Sequence, residues 1–328
     1  MARVVVLGGA GFLGSHLCDA LLRRGDEVVA VDNFCTGSKD NVKHLASTKS
    51  FSLIDADICD GIPVAGKVDL IFNFASPASP KQYLKMPLET LRVGSVGTEN
   101  AIKLALQNSA RLIMASTSEV YGDPLENPQS ETYFGNVNPF GLRSCYDEAK
   151  RFSEALLMAH HRTSKLNLGI VRIFNTYGPR LDPDDGRVVS TIIMQAIVNH
   201  DVTIHGDGSQ TRSFCYVDDL VEGIFRLLMS DYAQPVNLGN PDEITILDFA
   251  EEIVQLTKTD QKIVFEPLPV DDPKQRRPDI SLATSLLGWK PKVGRAEGLA
   301  LTYAYFKQLS TEELYAMEHK NFDDYIQK

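Results

Sequence analysis

The chain has 328 residues, 43% of them hydrophobic and 23% charged, with a formal net charge of −10. This length passes the roughly 250–300 residues at which one hydrophobic core stops growing, so one large domain with an appendage is expected. The acidic balance opposes nucleic-acid binding, which needs a basic face, and no run approaches the ~18 apolar residues of a membrane span.

The chain runs from its N-terminus straight into the strand-like Val4-Val5-Val6-Leu7. That leaves no room for a charged segment, an apolar segment and a cleavage site, so the expected location is cytoplasmic. Cys18, Cys35, Cys59, Cys145 and Cys215 are odd in number, widely spaced and free of any CxxC pair, which argues for reduced thiols. The seven histidines include no HExxH, and the adjacent His160 and His161 point about 100° apart on a helix, so no metal is expected.

Short β-branched runs near 3–7, 27–31, 50–54, 68–73 and 110–115 alternate with amphipathic stretches such as 13–24 and 88–108. Continuous apolar strands separated by helices predict a doubly wound α/β fold, a parallel sheet of the Rossmann type covered on both faces. A helix over about 144–163 leads to a strand over 167–173. The turn-rich Asp182-Pro183-Asp184-Asp185-Gly186 then opens shorter, mixed elements.

Asp218-Asp219-Leu220 starts a further helix and Val236-Asn237-Leu238-Gly239 reads as a strand, so the chain is expected to return to the main sheet. The expected division is a dinucleotide-binding domain over 1–178 with return segments near 213–240. A smaller mixed α/β substrate domain takes 179–212 and 241–310, and a polar tail takes 311–328.

Gly8, Gly11 and Gly14 fall where the first strand turns into a helix that continues through Phe12 and Leu13. Small residues there let the backbone approach a pyrophosphate, and the helix N-terminus supplies free N–H groups with positive partial charge. Asp32, at the end of the second strand, can accept both ribose hydroxyls. Its charge would repel a 2′-phosphate and no arginine follows closely, so NAD is expected over NADP. Asn33, Thr36, Gly37, Phe74, Ala75 and Ser76 complete the candidate cofactor set. Asp57 and Ile58 either reach the adenine or merely cap a surface loop.

Tyr146 and Lys150 have YxxxK spacing, which on a helix puts phenol and ammonium on one face, a turn apart. The cation can favour the phenolate and make it a general base. Tyr303 and Lys307 have the same spacing, but only Tyr146 follows a strand whose C-terminal end carries Ser116 and Thr117.

With these features the chain resembles the extended short-chain dehydrogenase/reductase superfamily, and within it most closely the UDP-glucuronate decarboxylases. The resemblance runs from residue 3 to about 306 through Phe74-Ala75-Ser76-Pro77-Ala78-Ser79-Pro80, Gly135-Asn136-Val137-Asn138-Pro139, Arg143-Ser144-Cys145-Tyr146-Asp147-Glu148, Asp185-Gly186-Arg187-Val188-Val189 and Gly206-Asp207-Gly208-Ser209-Gln210-Thr211-Arg212-Ser213-Phe214. Phe134, Leu142 and Ala149 depart from the pattern, where tryptophan, proline and glycine are expected; Phe134 is expected to reshape the pocket.

Ser118 and Glu119 discriminate between reactions. A dehydratase of this superfamily needs an acid at the position of Ser118, and a 4-epimerase has no use for Glu119, so the pair favours decarboxylation. The resemblance implies that Tyr146 takes the sugar O4 proton with Thr117 beside it, while Lys150 holds the cofactor ribose. Loss of carbon dioxide from the 4-keto acid and re-reduction then follow. Glu119 positions the ring or a water, or is a buried structural carboxylate. Arg276 binds the substrate carboxylate, or is a solvated basic turn.

Arg187 and Arg212 are expected at the diphosphate, and Ser79, Asn175 and Arg92 on the sugar side; surface ion pairs are the alternative for these arginines. An oxidative decarboxylase that releases the 4-keto pentose, and an epimerase or dehydratase, remain the competing readings. The resemblance also implies a homodimer formed through helices near 88–108 and 144–163.

Overall fold

The computed structural model describes residues 1–267, 275–310 and 312–314. Its first half lays down β1 (Arg3–Leu7), α1 (Phe12–Arg23), β2 (Glu27–Asp32), β3 (Phe51–Asp55), β4 (Leu70–Asn73), α2 (Pro80–Lys85), α3 (Pro87–Arg92), α4 (Thr98–Asn108), β5 (Arg111–Thr117), α5 (Ser144–Ser164) and β6 (Leu168–Ile173). A seventh strand, Pro235–Leu238, joins them in the order Pro235–Leu238, β6, β5, β4, β1, β2, β3, with every pairing parallel.

The apolar runs that predict these strands are buried on both faces. Val4 and Val6 of β1 pack with Leu17 and Leu21 of α1. Val5 and Leu7 pack on the other side with Ala101 and Ala105 of α4 and Leu157 of α5. Two apolar layers sandwich one sheet, as a parallel sheet covered by crossover helices requires.

The chain passes from β3 to β4 across β1, so the strand order reverses between β1 and β4. A crevice opens at such a switch point beyond the C-terminal strand ends. There Phe74 N donates to Leu7 O at 2.9 Å, bringing the segment after β4 alongside the glycine turn.

Helix α3 runs through a π-turn, Val93–Gly97, into α4, so the segment read as one helix is continuous but locally widened and underwound. A Cβ on Gly94 would lie 2.7 Å from the Ala149 Cβ, so glycine lets the π-turn approach α5 closely.

Beyond β6 the elements shorten. Thr211–Ser213 lies between Glu243–Thr245 and Gln275–Arg276, and Val202–His205 pairs with Ile263–Glu266. The helices Val188–Ile197, Ile246–Thr257 and Arg295–Phe306 pack around them. No helix among the described residues is long and apolar enough to cross a membrane. Of the expected tail, residues 311 and 315–328 lie outside the described residues.

Candidate active site

The turn from β1 into α1 is built to let something approach its backbone. Gly8 has φ +76°, and a Cβ there would lie 2.8 Å from Ala75 N. A Cβ on Gly14 would lie 2.0 Å from Gly8 O, so the helix can pack on the turn only through glycine. Gly11 caps α1 without a side-chain hydrogen bond, leaving the first-turn amides to a ligand.

Asp32 is 8% exposed and accepts from Ala10 N and Phe34 N, both at 2.9 Å. Its carboxylate borders a cleft of about 100 Å³ together with Asn33, Asp57, Ile58 and Ala75. Asn33 Nδ2 donates to Asp57 Oδ2 at 3.0 Å and ties the two loops that form the cleft. Thr36, Gly37, Phe74 and Ser76 border both this cleft and the adjoining main cavity, and Phe12 and Leu13 line the latter. These residues fit a dinucleotide, with a buried carboxylate at one end of a glycine-walled trough.

Arg92 corrects one expectation. It ends α3 just before the π-turn and lines the small cleft beside Asp57 and Cys59, not the main cavity. The Asp57 carboxyl is lowered: burial raises it, but Cys59 N donating at 2.7 Å and further bonds outweigh that, with Arg92 adding a smaller push.

The main cavity, about 680 Å³, spans from the glycine turn to the short strands of the second half. Thr117 ends β5 and caps the 3-10 turn Ser118–Tyr121, accepting from Glu119 N at 3.2 Å. Helix α5 crosses behind it and places Tyr146 and Lys150 on the cavity wall. The Tyr146 phenol lies beside Thr117, and its ring stacks on Tyr83 with centroids 5.0 Å apart and planes 6° from parallel.

The expected acidification of Tyr146 by Lys150 is outweighed by burial. Burial pushes the phenol up to about 12 against a smaller lowering from Thr117. Lys150 Nζ instead donates to Ala115 O at 2.9 Å and stands 5.8 Å from the Tyr146 ring centroid. Burial lowers Lys150 itself to about 8. Desolvation outweighs a cation that is turned onto a carbonyl.

Glu119 sits between two guanidiniums. Arg143 Nη2 donates to its Oε2 at 2.7 Å, and Arg276 Nη1 pairs with its Oε1. Burial alone would raise the Glu119 carboxyl, but Arg143 and Arg276 more than offset it and hold it well below the usual carboxylate range. Glu119 is therefore a fixed anion. Arg276, only 4% exposed, is no solvated turn.

The sequence reading gave Arg143 no role; its signal is the i,i+3 spacing to Tyr146 at the entry to α5. Tyr83 was likewise missed, having no motif around it. Ser118 is buried within the 3-10 turn and lines the cavity.

Ser79, Asn175, Arg187 and Arg212 line the cavity as well. Ser79 Oγ is buried without a hydrogen-bond partner, as is Tyr83 Oη, so two polar atoms on one wall are left for a ligand. Arg187 is paired with Asp185, and Arg212 Nη1 donates to Thr211 O at 2.9 Å.

Phe134 is 88% exposed and outside the cavity wall, so it does not reshape the pocket as expected; its carbonyl accepts from Arg151 while the ring points away. Tyr303 and Lys307 stack on one helix and do not line the cavity.

Residues 4–239 match the model of the NAD dependent epimerase/dehydratase family. Among curated proteins, UDP-glucuronic acid decarboxylase 4 of Arabidopsis thaliana is 51% identical over 93% of this chain and 69% of its own length. UDP-glucuronic acid decarboxylase 1 of Danio rerio is 48% identical over 99% of this chain and 76% of its own. Among solved structures, UDP-glucuronic acid 4-epimerase from Bacillus cereus, in complex with UDP-glucuronic acid and NAD, superimposes with a TM-score of 0.84. It is 29% identical, over 94% of this chain and all of that one. UDP-glucose 4-epimerase from Thermotoga maritima gives 0.86 at 28% identity over 93% and 99%. The chain belongs to the NAD dependent epimerase/dehydratase family, among its UDP-glucuronic acid decarboxylases.

Proposed function

We propose that the chain converts UDP-glucuronate to UDP-xylose by oxidation at C4, loss of carbon dioxide and re-reduction. The observation that carries this reading is the Glu119 carboxylate clamped by Arg143 and Arg276 on the same cavity wall as Thr117 and Tyr146. Two guanidiniums on one cavity wall suit a sugar that carries its own carboxylate. The half-identical decarboxylases support the same substrate.

Bound NAD would supply the two-electron acceptor that turns C4 into a ketone and the donor that reduces it again. Tyr146 Oη takes the O4 proton as the phenolate, after its own proton has passed to solvent, with Thr117 beside it. Lys150, anchored on Ala115 O, holds the ribose side of the site. A ketone at C4 beside the carboxylate-bearing C5 makes a β-keto acid. Its C5–C6 bond breaks, carbon dioxide leaves and the electron pair passes into an enolate, which Tyr146 stabilises by holding its proton at O4. Arg143 and Arg276 hold the carboxylate until it leaves. Glu119, fixed as an anion, has no proton to give and positions the ring or the water that reprotonates C5. Arg187 and Arg212 serve the diphosphate, Ser79 and Asn175 the sugar.

A second copy of the chain packs on the faces of α3, α4 and α5, where Leu88 is 70% exposed, Phe152 50% and Val96 42%. Exposed apolar side chains on neighbouring helices support such an interface. Sedimentation of the protein before and after Leu88→Glu tests it: a dimer that becomes a monomer supports the reading, and a monomer at the outset sinks it.

The functional test is mass spectrometry and NMR of the nucleotide product from UDP-glucuronate and NAD, with NADH absorbance followed throughout. UDP-xylose with no net NADH supports the full cycle. A keto-pentose with matching NADH identifies an oxidative decarboxylase, and unchanged carbon content an epimerase or dehydratase.

A further inference from the structure

Lys81 and Asp184 have no task in the reaction described above, yet they join two walls of the main cavity. Lys81 belongs to α2, where its neighbours Pro80, Gln82 and Tyr83 line the cavity. Asp184 belongs to a turn over 182–187 in the second half of the chain, where Asp182, Pro183 and Asp185 line it. Lys81 and Asp184 themselves stand just outside the lining, and Lys81 Nζ pairs there with Asp184 Oδ2. The two side chains are 7% and 36% exposed, so solvent screens this pair less than an ordinary surface ion pair.

Both arms of the pair are held firmly. In the turn, Asp184 N donates to Asp182 Oδ1 at 2.8 Å and Asp185 N to Asp182 O at 3.0 Å, while Asp185 pairs with Arg187. On α2, Tyr83 N donates to Ser79 O at 3.0 Å, and Cys145 Sγ donates to Tyr83 O at 3.6 Å. The Tyr83 ring stacks on Tyr146, so α2 is seated on α5. Neither arm yields by itself, and parting the two walls at this point breaks the pair.

We propose that Lys81 and Asp184 are positioning residues that latch α2 to the 182–187 turn, so that a nucleotide held in the main cavity is released when the pair opens. The proposal rests on that cavity being the nucleotide-sugar site. A contact between walls acts on the rate of release more than on the rate of entry, because it forms around a ligand already inside. The pair lies outside the lining and away from Tyr146 and Thr117, so its loss should speed release without altering the chemical step.

The test is surface plasmon resonance of UDP over the immobilised protein with NAD in the buffer, read as the dissociation rate. The proteins are the unaltered chain, Lys81→Met, Asp184→Asn, the double variant and Lys81→Arg. Each of the two charge-removing substitutions should speed UDP release roughly tenfold, and the double variant should be no faster than the faster of them. Lys81→Arg, which keeps the charge, should stay within about twofold of the unaltered chain. Raising salt from about 0.05 M to about 0.5 M should speed release from the unaltered chain more than from Lys81→Met. Unchanged release in both single variants overturns the proposal, even where Tm falls, and so do effects that multiply in the double variant. If one single variant does not fold, the other and the salt comparison decide. UDP that binds and leaves at one rate in all the proteins sinks the latch alone, whereas failure of the unaltered protein to bind UDP sinks the nucleotide-sugar reading of the cavity and the latch with it.

Discussion

Arg276 pairs with Glu119 across 157 positions of sequence, and the two side chains are 4% and 14% exposed. The pair joins the short strand Gln275–Arg276 to the end of β5 and so closes the cavity between the sheet and the second half of the chain. Breaking a buried pair by removing one partner costs about 3–5 kcal/mol, because the other is left uncompensated. Arg143 already holds the second carboxylate oxygen of Glu119. Arg276→Gln should therefore destabilise less than Glu119→Gln, which strands two guanidiniums at once. Denaturant titration of both variants gives the order, and the reverse order would show that Arg143 does not share the load. Arg276→Gln should also raise KM for UDP-glucuronate at least tenfold and leave binding of UDP alone nearly unchanged.

Tyr146→Phe should abolish most turnover while sparing the fold. The ring is 6% exposed and stacked on Tyr83, and phenylalanine preserves that packing. Only the hydroxyl beside Thr117 is lost. General-base removal costs roughly 10²–10⁴ in rate. Carbon dioxide release should fall within that range with Tm shifted by only a few degrees; unaltered turnover would eliminate Tyr146 as the base.

Lys150 carries a stability signature of its own. Burial lowers its ammonium from 10.5 to about 8, so between those values the unfolded chain binds more protons than the folded one. Stability contributed by this site therefore rises with pH through that window and levels off above it. Relative to Lys150→Met, the unaltered protein should gain Tm from about pH 8 to about pH 10.5. A difference that stays constant across the window would show that the ammonium is not desolvated in the folded chain.

The fold and the two halves of the site differ in how openly they stand in the sequence. β1, α1 and the glycines between them form one contiguous strand–turn–helix, and Tyr146 and Lys150 share a helix face by periodicity, so local spacing alone brings each set together. The partners of Glu119 depend on where the distant Gln275–Arg276 strand docks, which no local pattern encodes. The resemblance puts Arg92 on the sugar side, whereas α3 and the π-turn that follows it carry the side chain to the small cleft beside Asp57. The acidity of Tyr146 was misjudged for a related reason: spacing reports that Lys150 is near, but not that its ammonium is turned onto Ala115 O.

Gly14→Ala tests the glycine turn most directly. The added methyl would lie 2.0 Å from Gly8 O and 2.9 Å from Gly9 Cα, both backbone atoms with no freedom to swing aside. Either α1 tilts away from the turn or the turn itself shifts, and both outcomes move the first-turn amides that would meet a pyrophosphate. Gly25→Ala supplies the control, because its Cβ meets nothing within 4 Å although its φ of +89° carries the ordinary strain of a left-handed residue. Fluorescence titration with NADH should show at least a tenfold loss of affinity in Gly14→Ala and little change in Gly25→Ala, with Tm lowered in both. Equal NADH affinity in the two variants would mean that the close approach at Gly14 serves helix packing and not the dinucleotide.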